Sequence, residues 1–250
     1  MSHHFLHRDD APFGDEVWRK IDETVTGAAK SQLCARRLLH IEGPYGLGLK
    51  TLPSRDAPVE RADVEGVSLE ASSGIPVTVI RGEFALGARD IAAFEQTGVP
   101  LDLSSVAEAA IACARQEDAL LFNGSASLGV SGLLNAKGTL STRLKSWDEV
   151  GTAVEDIIAA VMKLDEAGFH GPYALALSPG RYNLLFRRYP QGNQTEIEHL
   201  RMLVTDGIVK APAIPSGGVL LATGRQYASV VIGQDLIAGF TGPAGGRYEF

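Results

Sequence analysis

Between Ser146 and Gly168 the apolar positions recur at helical spacing. Val150, Val154, Ile157, Ile158, Val161 and Leu164 form one stripe behind Ser146-Trp-Asp-Glu149, whose serine and glutamate have capping-box spacing. This pattern predicts a helix from Ser146 that stops at Gly168. A second box, Ser105-Val-Ala-Glu108, opens a series of Val106, Ala110, Cys113, Ala114 and Leu121, and predicts a helix over 105–122. Val17, Ile21, Val25 and Ala28 share one face of a third helix, from Asp15 to about Arg36. Ser178-Pro179 starts a fourth, with proline at the first helical position. A fifth follows Thr195 and carries Ile197, Leu200, Leu203 and Val204.

Between the helices, runs rich in apolar and β-branched residues are bounded by glycine, proline or serine. They predict strands at Ile75–Leu86, Tyr173–Leu177, Ile208–Ile214, Gly218–Thr223 and Tyr227–Ile232. The order lacks a regular βαβ rhythm, so the fold class is α+β and not a doubly wound sheet. No internal repeat is visible. One stretch departs from both patterns. Leu47–Gly74 is polar, with Arg55, Asp56, Glu60, Arg61, Asp63, Glu65 and Glu70, and its aliphatics after Pro53 are Val59, Val64, Val67 and Leu69. A loop of that length is unusual within a compact domain. It reads either as a mobile surface hairpin or as an extended arm that buries its few apolar residues against a neighbouring subunit.

Composition narrows the function classes. The 250 residues suffice for one large domain or two ordinary ones, and 45% hydrophobic with 21% charged is usual for a globular chain. A net charge of −7 without a basic stripe argues against a nucleic-acid binder. Cys34 and Cys113 cannot form a disulfide framework and suit a reducing cytosol. Neither a signal-peptide pattern nor a run of about 18 apolar residues occurs, which predicts a soluble, cytoplasmic protein.

Catalytic motifs are missing. His3, His4 and His7 cluster at the N-terminus, where a solvated end is the simplest reading, and His40, His170 and His199 are isolated. Ser125-Ala-Ser127-Leu-Gly129 lacks the first glycine of a nucleophile elbow, and Asn123-Gly124 before it suggests a turn. Gly43, Gly46 and Gly48 do not have phosphate-loop or dinucleotide spacing, and Pro44 removes a backbone donor that such a cradle would need. Cys34 and Cys113 fall on predicted helices, which makes inert burial the default. The chain reads as a non-enzyme with no metal site.

What the chain does carry is an ordered set of glycine-marked turns. These are I-E-G-P-Y-G (Ile41–Gly46), F-N-G (Phe122–Gly124), G-V-S-G-L-L (Gly129–Leu134), G-P-Y (Gly171–Tyr173), Y-P (Tyr189–Pro190) and V-I-G-Q-D-L-I-A-G-F (Val231–Phe240). In the first and last, glycine stands where a strand must bend or pass close to other backbone. In this order, over nearly the whole chain, the set resembles the encapsulin shell proteins of family 1. That family shares the fold of tailed-phage major capsid proteins, and its members assemble into icosahedral nanocompartments around a cargo enzyme.

The resemblance implies a peripheral domain drawn from 1–46, 75–130 and 216–250, an extended arm at 47–74 and an axial domain at 131–215. It implies itself as partner, in a homo-oligomeric shell, with a dye-decolourising peroxidase or ferritin-like protein as cargo. The cargo's targeting peptide would dock on Val25, Ala29, Leu33, Arg36, Leu39 and Ile41, with Ile232 and Asp235 opposite. Val25 and Leu33 could equally pack the chain's own core, and His40 stands where many members have an acid. The run Arg187-Arg188-Tyr189-Pro190-Gln191-Gly192-Asn193 matches the fivefold pore loop. There two arginines per subunit would make a positive collar, although positive charge at a helix end also complements the helix dipole. Some members bind flavin through a tryptophan. Arg89 occupies that position, so no cofactor is expected. Members usually continue past the position of Phe250 with another strand. A phage or prophage major capsid protein is the alternative, and a hydrolase or bacteriocin, labels the family has carried, is a weaker one.

Overall fold

The computed structural model describes residues 3–53, 60–64, 67–71 and 74–250. Arg55, Asp56, Val59 and Glu65 of the polar stretch lie outside the described residues. The helices are α1 (Asp15–Gln32), α2 (Ala88–Thr97), α3 (Ser104–Asn123), α4 (Thr152–Glu166), α5 (Pro179–Leu184) and α6 (Glu196–Leu200). The strands are β1 (His40–Glu42), β2 (Thr51–Pro53), β3 (Glu60–Val64), β4 (Val67–Ala71), β5 (Gly74–Pro76), β6 (Ala85–Gly87), β7 (Tyr173–Leu177), β8 (Ile208–Lys210), β9 (Gly218–Ala222), β10 (Ser229–Val231), β11 (Gly242–Ala244) and β12 (Arg247–Glu249). The mixture is α+β, as the pattern predicts.

Two compact units are built from interleaved stretches of chain. The first joins residues up to Leu33 with Ile80–Glu117 and Asp235–Phe250. Its core sets Val17, Ile21 and Val25 of α1 against Leu86, Ile91, Val106, Ala110 and Phe240. Phe250 is buried there, stacked on Phe84 at 4.7 Å and edge-on to Trp18 at 5.7 Å. The sheet β11-β12-β6 is antiparallel, and Phe250 donates its amide to the Phe84 carbonyl beyond the ladder. Arg8 ties the N-terminal segment to this unit: its guanidinium grips the Asp22 carboxylate, donates through Nε to the Ala238 carbonyl, and lies 4.3 Å from the Trp18 ring centroid.

The second unit comprises Cys34–Val79 and Asp118–Gln234. Its sheet β8-β7-β9 has β7 fully buried at the centre, parallel to β8 and antiparallel to β9. The residues of β7 alternate between two clusters. Tyr173, Leu175 and Leu177 meet Val154, Ile157 and Val161 of α4, while Ala174 and Ala176 meet Leu38, Phe122 and Ile214. β1 pairs in parallel with β10, while the antiparallel ladder β3–β4 lies within the polar stretch and the antiparallel ladder β2–β5 closes its two ends.

Several boundaries differ from the sequence reading, each for a local reason. Ser146 opens no helix. Its hydroxyl donates to Asp148, and α4 begins only at Thr152, behind Gly151 with φ +104°. Trp147 is buried instead, its indole N–H donating to the buried Asp156, which also accepts the Lys145 amide, both at 2.8 Å. Seating the indole folds 145–151 back over the first turns of α4, and Ile158 is left exposed. Ser105 lies inside α3 and donates to the Ala85 carbonyl, while Asp102 takes the Ser104 amide and hydroxyl at 2.9 and 2.6 Å. The Ser104 bonds hold the Asp102 carboxyl below its usual range. The long strand at 75–86 is two short strands, β5 and β6. Between them Gly82 lies so close to α3 that a Cβ there would meet Cys113 Sγ at 2.9 Å. α1 ends at Gln32, and a 3-10 turn over Ala35–Arg37 takes the place of its last turn. α2 was not expected; Gly98 closes it in the left-handed region at φ +71°.

Candidate functional site

The loop after α5 is a tight return whose two arginines face opposite ways. Arg188 bridges Thr195, and the Tyr189 amide donates to the Gln194 carbonyl at 3.1 Å. Because side chains alternate along extended backbone, Arg187 turns inward and Arg188 outward. Arg187 donates to the Leu184 and Asp148 carbonyls, both at 3.0 Å, and to Glu196 Oε2 at 3.1 Å. Glu196 has no exposed surface, and its other oxygen accepts the Gly151 amide at 2.8 Å. The pair therefore ties the loop to the start of α4. This changes the expected collar of two arginines, since the Arg187 charge is matched by a buried carboxylate while Arg188 is exposed. Tyr189 is held by its hydroxyl, 3.0 Å from His199 Nδ1, and burial raises its phenol above the ordinary range. Pro190, Gln191 and Asn193 are exposed at the tip. Below the tip, Glu198 accepts the Thr195 amide and hydroxyl at 2.7 Å, and these bonds lower its carboxyl.

The residues expected to dock a peptide fall in both units and differ in availability. In the first, Val25 and Ala29 are buried on one face of α1, Leu33 is half-buried and Asp235 is exposed. In the second, Leu39 and Ile232 are buried, Arg36 is half-buried and Ile41 is exposed. Here Ile41 and Ile232 lie on adjoining lengths of chain, Ile41 opposite Val230 in the ladder. β1 runs beside β10, the Ile232 amide donates to the Glu42 carbonyl at 2.9 Å, and Tyr45 returns its amide to the Ile232 carbonyl at 3.0 Å. The glycine of the first turn is required by this approach. Gly43 has φ +109°, and a Cβ on it would lie 2.3 Å from the Ile232 carbonyl oxygen. Arg225 clasps Glu42 at 3.1 Å, and Ser229 and Arg225 hold that carboxyl below its usual range.

Asp118 explains how the chain enters β1. It is buried, and accepts the Cys34 amide at 2.9 Å, the Ala35 amide at 3.0 Å and the Cys34 thiol at 2.8 Å. It thereby caps the 35–37 turn. Burial, with the hydrogen bond to Asp118, pushes the Cys34 thiol up to about 12, and burial also raises Cys113. Neither sulfur is a nucleophile at neutral pH.

Among the described residues no nucleophile, base and orienting group come together. Ser125 and Ser127 meet each other at 3.1 Å across a turn, with Gly124 at φ +68°. Among the described residues no group of three or more His, Cys, Asp or Glu could hold a metal, and no helix is long and apolar enough to cross a membrane. The side chains of His3 and His4 lie outside the described set. Arg89 is exposed in the first turn of α2. Exposed apolar groups are the more telling feature: Ile41, Tyr45, Leu47, Val67, Ile75 and Val79 are each 45–63% exposed, within a single stretch of chain.

Comparison with known proteins gives this surface a context. Residues 3–250 match the family described as encapsulating protein for peroxidase. The chain is 35% identical over 256 residues to the type 1 encapsulin shell protein EncA of Myxococcus xanthus, covering 98% of this chain and 89% of that protein. It is 30% identical over 244 residues to a diheme-cytochrome-encapsulin shell fusion protein of Kuenenia stuttgartiensis, covering 94% of this chain and 67% of that one. In three dimensions it is similar to a virus-like particle protein from Pyrococcus furiosus, with TM-score 0.69 and 20% identity, over 94% of this chain and 91% of the other. The fold is thus the capsid-like one.

Proposed function

The chain belongs to the encapsulin shell-protein family, and we propose that copies of it close into an icosahedral compartment around a cargo enzyme in the cytoplasm. The observation that carries this reading is family likeness along nearly the whole chain, joined to apolar surface at 41–79 that one copy leaves exposed. Such surface is a stability and solubility liability until a neighbour covers it. In this reading the ladders β2–β5 and β3–β4 form the arm that reaches the neighbour, the insertion 131–215 is the axial domain, and loop 187–193 faces an opening in the shell.

Cargo enters by its targeting peptide, an extended apolar segment. Ile41 offers it apolar contact, with His40 beside it in place of an acid. A peroxidase is the favoured cargo class, because the matched family is described by one. The chain itself performs no catalysis, and Arg89 gives a flavin no indole to stack on.

Negative-stain microscopy of the purified chain tests the proposal. Uniform hollow particles are expected, and co-expression with a reporter bearing a peroxidase-derived tail fills them. Particles that stay empty with the tailed reporter would remove the cargo reading and leave the shell. DNA-filled particles would favour the phage-capsid alternative.

A further inference from the structure

Taking loop 187–193 to face a shell opening, as proposed above, we infer that the charge each copy presents there is that of Arg188 alone, Arg187 being cancelled from within. The argument is geometric. All three nitrogens of the Arg187 guanidinium have partners, and one partner is the fully buried carboxylate of Glu196. A close ion pair has no net charge, so its field decays as a dipole's and contributes little at the tip. Arg187 is a positioning residue: with Glu196 and the Gly151 amide it fixes the angle at which the loop leaves α5. Arg188, the next residue, projects the other way and is exposed. Among the described residues no hydrogen bond or ion pair engages its side chain. Glu198, below the loop, is acted on by Arg201 first and by Arg188 after it, so these three groups together carry one net positive charge. A symmetric collar of these loops therefore carries a net of one positive charge per copy from Arg188, Glu198 and Arg201. Preference for anions rests on Arg188 and is indifferent to loss of the Arg187–Glu196 pair as a pair.

The test reads local potential directly. A fluorophore is placed on Asn193→Cys in the full chain, where Cys34 and Cys113 are buried and do not compete for label. Quenching by iodide is compared with quenching by caesium at low ionic strength. Arg188→Gln lowers the iodide-to-caesium ratio by about 2- to 3-fold, the effect on both ions of one charge on the order of 10 Å away in weakly screened water. The paired variant Arg187→Met/Glu196→Leu leaves the ratio unchanged. A drop with the paired variant as large as that with Arg188→Gln overturns the inference, and so does an unchanged ratio in Arg188→Gln. If faster hydrogen exchange at the Tyr189 amide shows that the paired variant loosens the loop, Glu196→Gln decides. It removes only the negative charge and must raise the ratio by a similar factor, and no rise overturns the inference. Microscopy of the same samples reports assembly separately, so failure of the charge assignment and failure of the shell reading are distinguishable.

Discussion

Replacing Asp118 by asparagine should loosen the entrance to β1 more than its conservative shape suggests. The native carboxylate uses both oxygens, accepting the Cys34 and Ala35 amides at 2.9 and 3.0 Å and the thiol at 2.8 Å, in a site with almost no solvent. Asparagine keeps one acceptor and turns an NH2 donor toward a backbone donor. One charge-assisted bond is lost, worth roughly 1.5–3 kcal/mol, and one buried N–H is orphaned at roughly 1–3 kcal/mol. These terms overlap, so the expected loss is about 3 kcal/mol. Urea denaturation gives the magnitude, and alkylation of Cys34 gives a local signature. The carboxylate helps hold that thiol near 12, so without it the thiol ionises more readily and reacts sooner. A variant within 0.5 kcal/mol of wild type, with Cys34 still protected, would refute the reasoning.

Other outcomes follow from the same packing. Phe250→Ala removes the ring stacked on Phe84 and edge-on to Trp18, and costs about 3–5 kcal/mol in thermal or urea unfolding. A loss under 1 kcal/mol would mean that the aromatic cluster closes without it. Gly43→Ala forces a side chain into φ +109° against the Ile232 carbonyl. The backbone conformation alone costs about 1–3 kcal/mol, and the amides of Tyr45 and Gly46 should exchange faster. Unfolding stability falls between pH 9.0 and about 12, because the unfolded Cys34 thiol ionises first while the folded one stays protonated; below pH 9.0 this group adds no slope. Native protein at pH 8 resists iodoacetamide at both cysteines, and urea titrations at stepped pH check the slope.

Legibility in the sequence followed the range of the forces involved. Helices with an uninterrupted stripe were readable, as at α1 and α3, and so was β7 between Pro172 and Ser178. The start of α4 was not, because burying Trp147 against Asp156 is a tertiary preference that overrides a well-spaced box. The box that forms is Thr195-Glu-Ile-Glu198, at the start of the helix that the sequence places after Thr195. α2 too had a usable sign in Gly98 after an Ile91–Phe94 pair. Gly43 announced a close approach, although only the fold shows that Ile232 makes it. Asp118 and Glu196 read as ordinary surface acids, and nothing local marks them as buried. Their partners are brought close by the fold alone, which is why the two loop arginines are equivalent in sequence and differ in the structure, where Glu196 stands behind one of them.

Sedimentation velocity of the 250-residue chain at high protein concentration tests most directly whether copies cover one another's exposed Ile41, Tyr45, Leu47, Val67, Ile75 and Val79. The account predicts a single fast boundary of a closed multi-megadalton assembly, and Val67→Asp together with Ile75→Asp shifts material to slowly sedimenting species. A stable 26.5 kDa monomer that stays dispersed with its apolar stretch in water would contradict it.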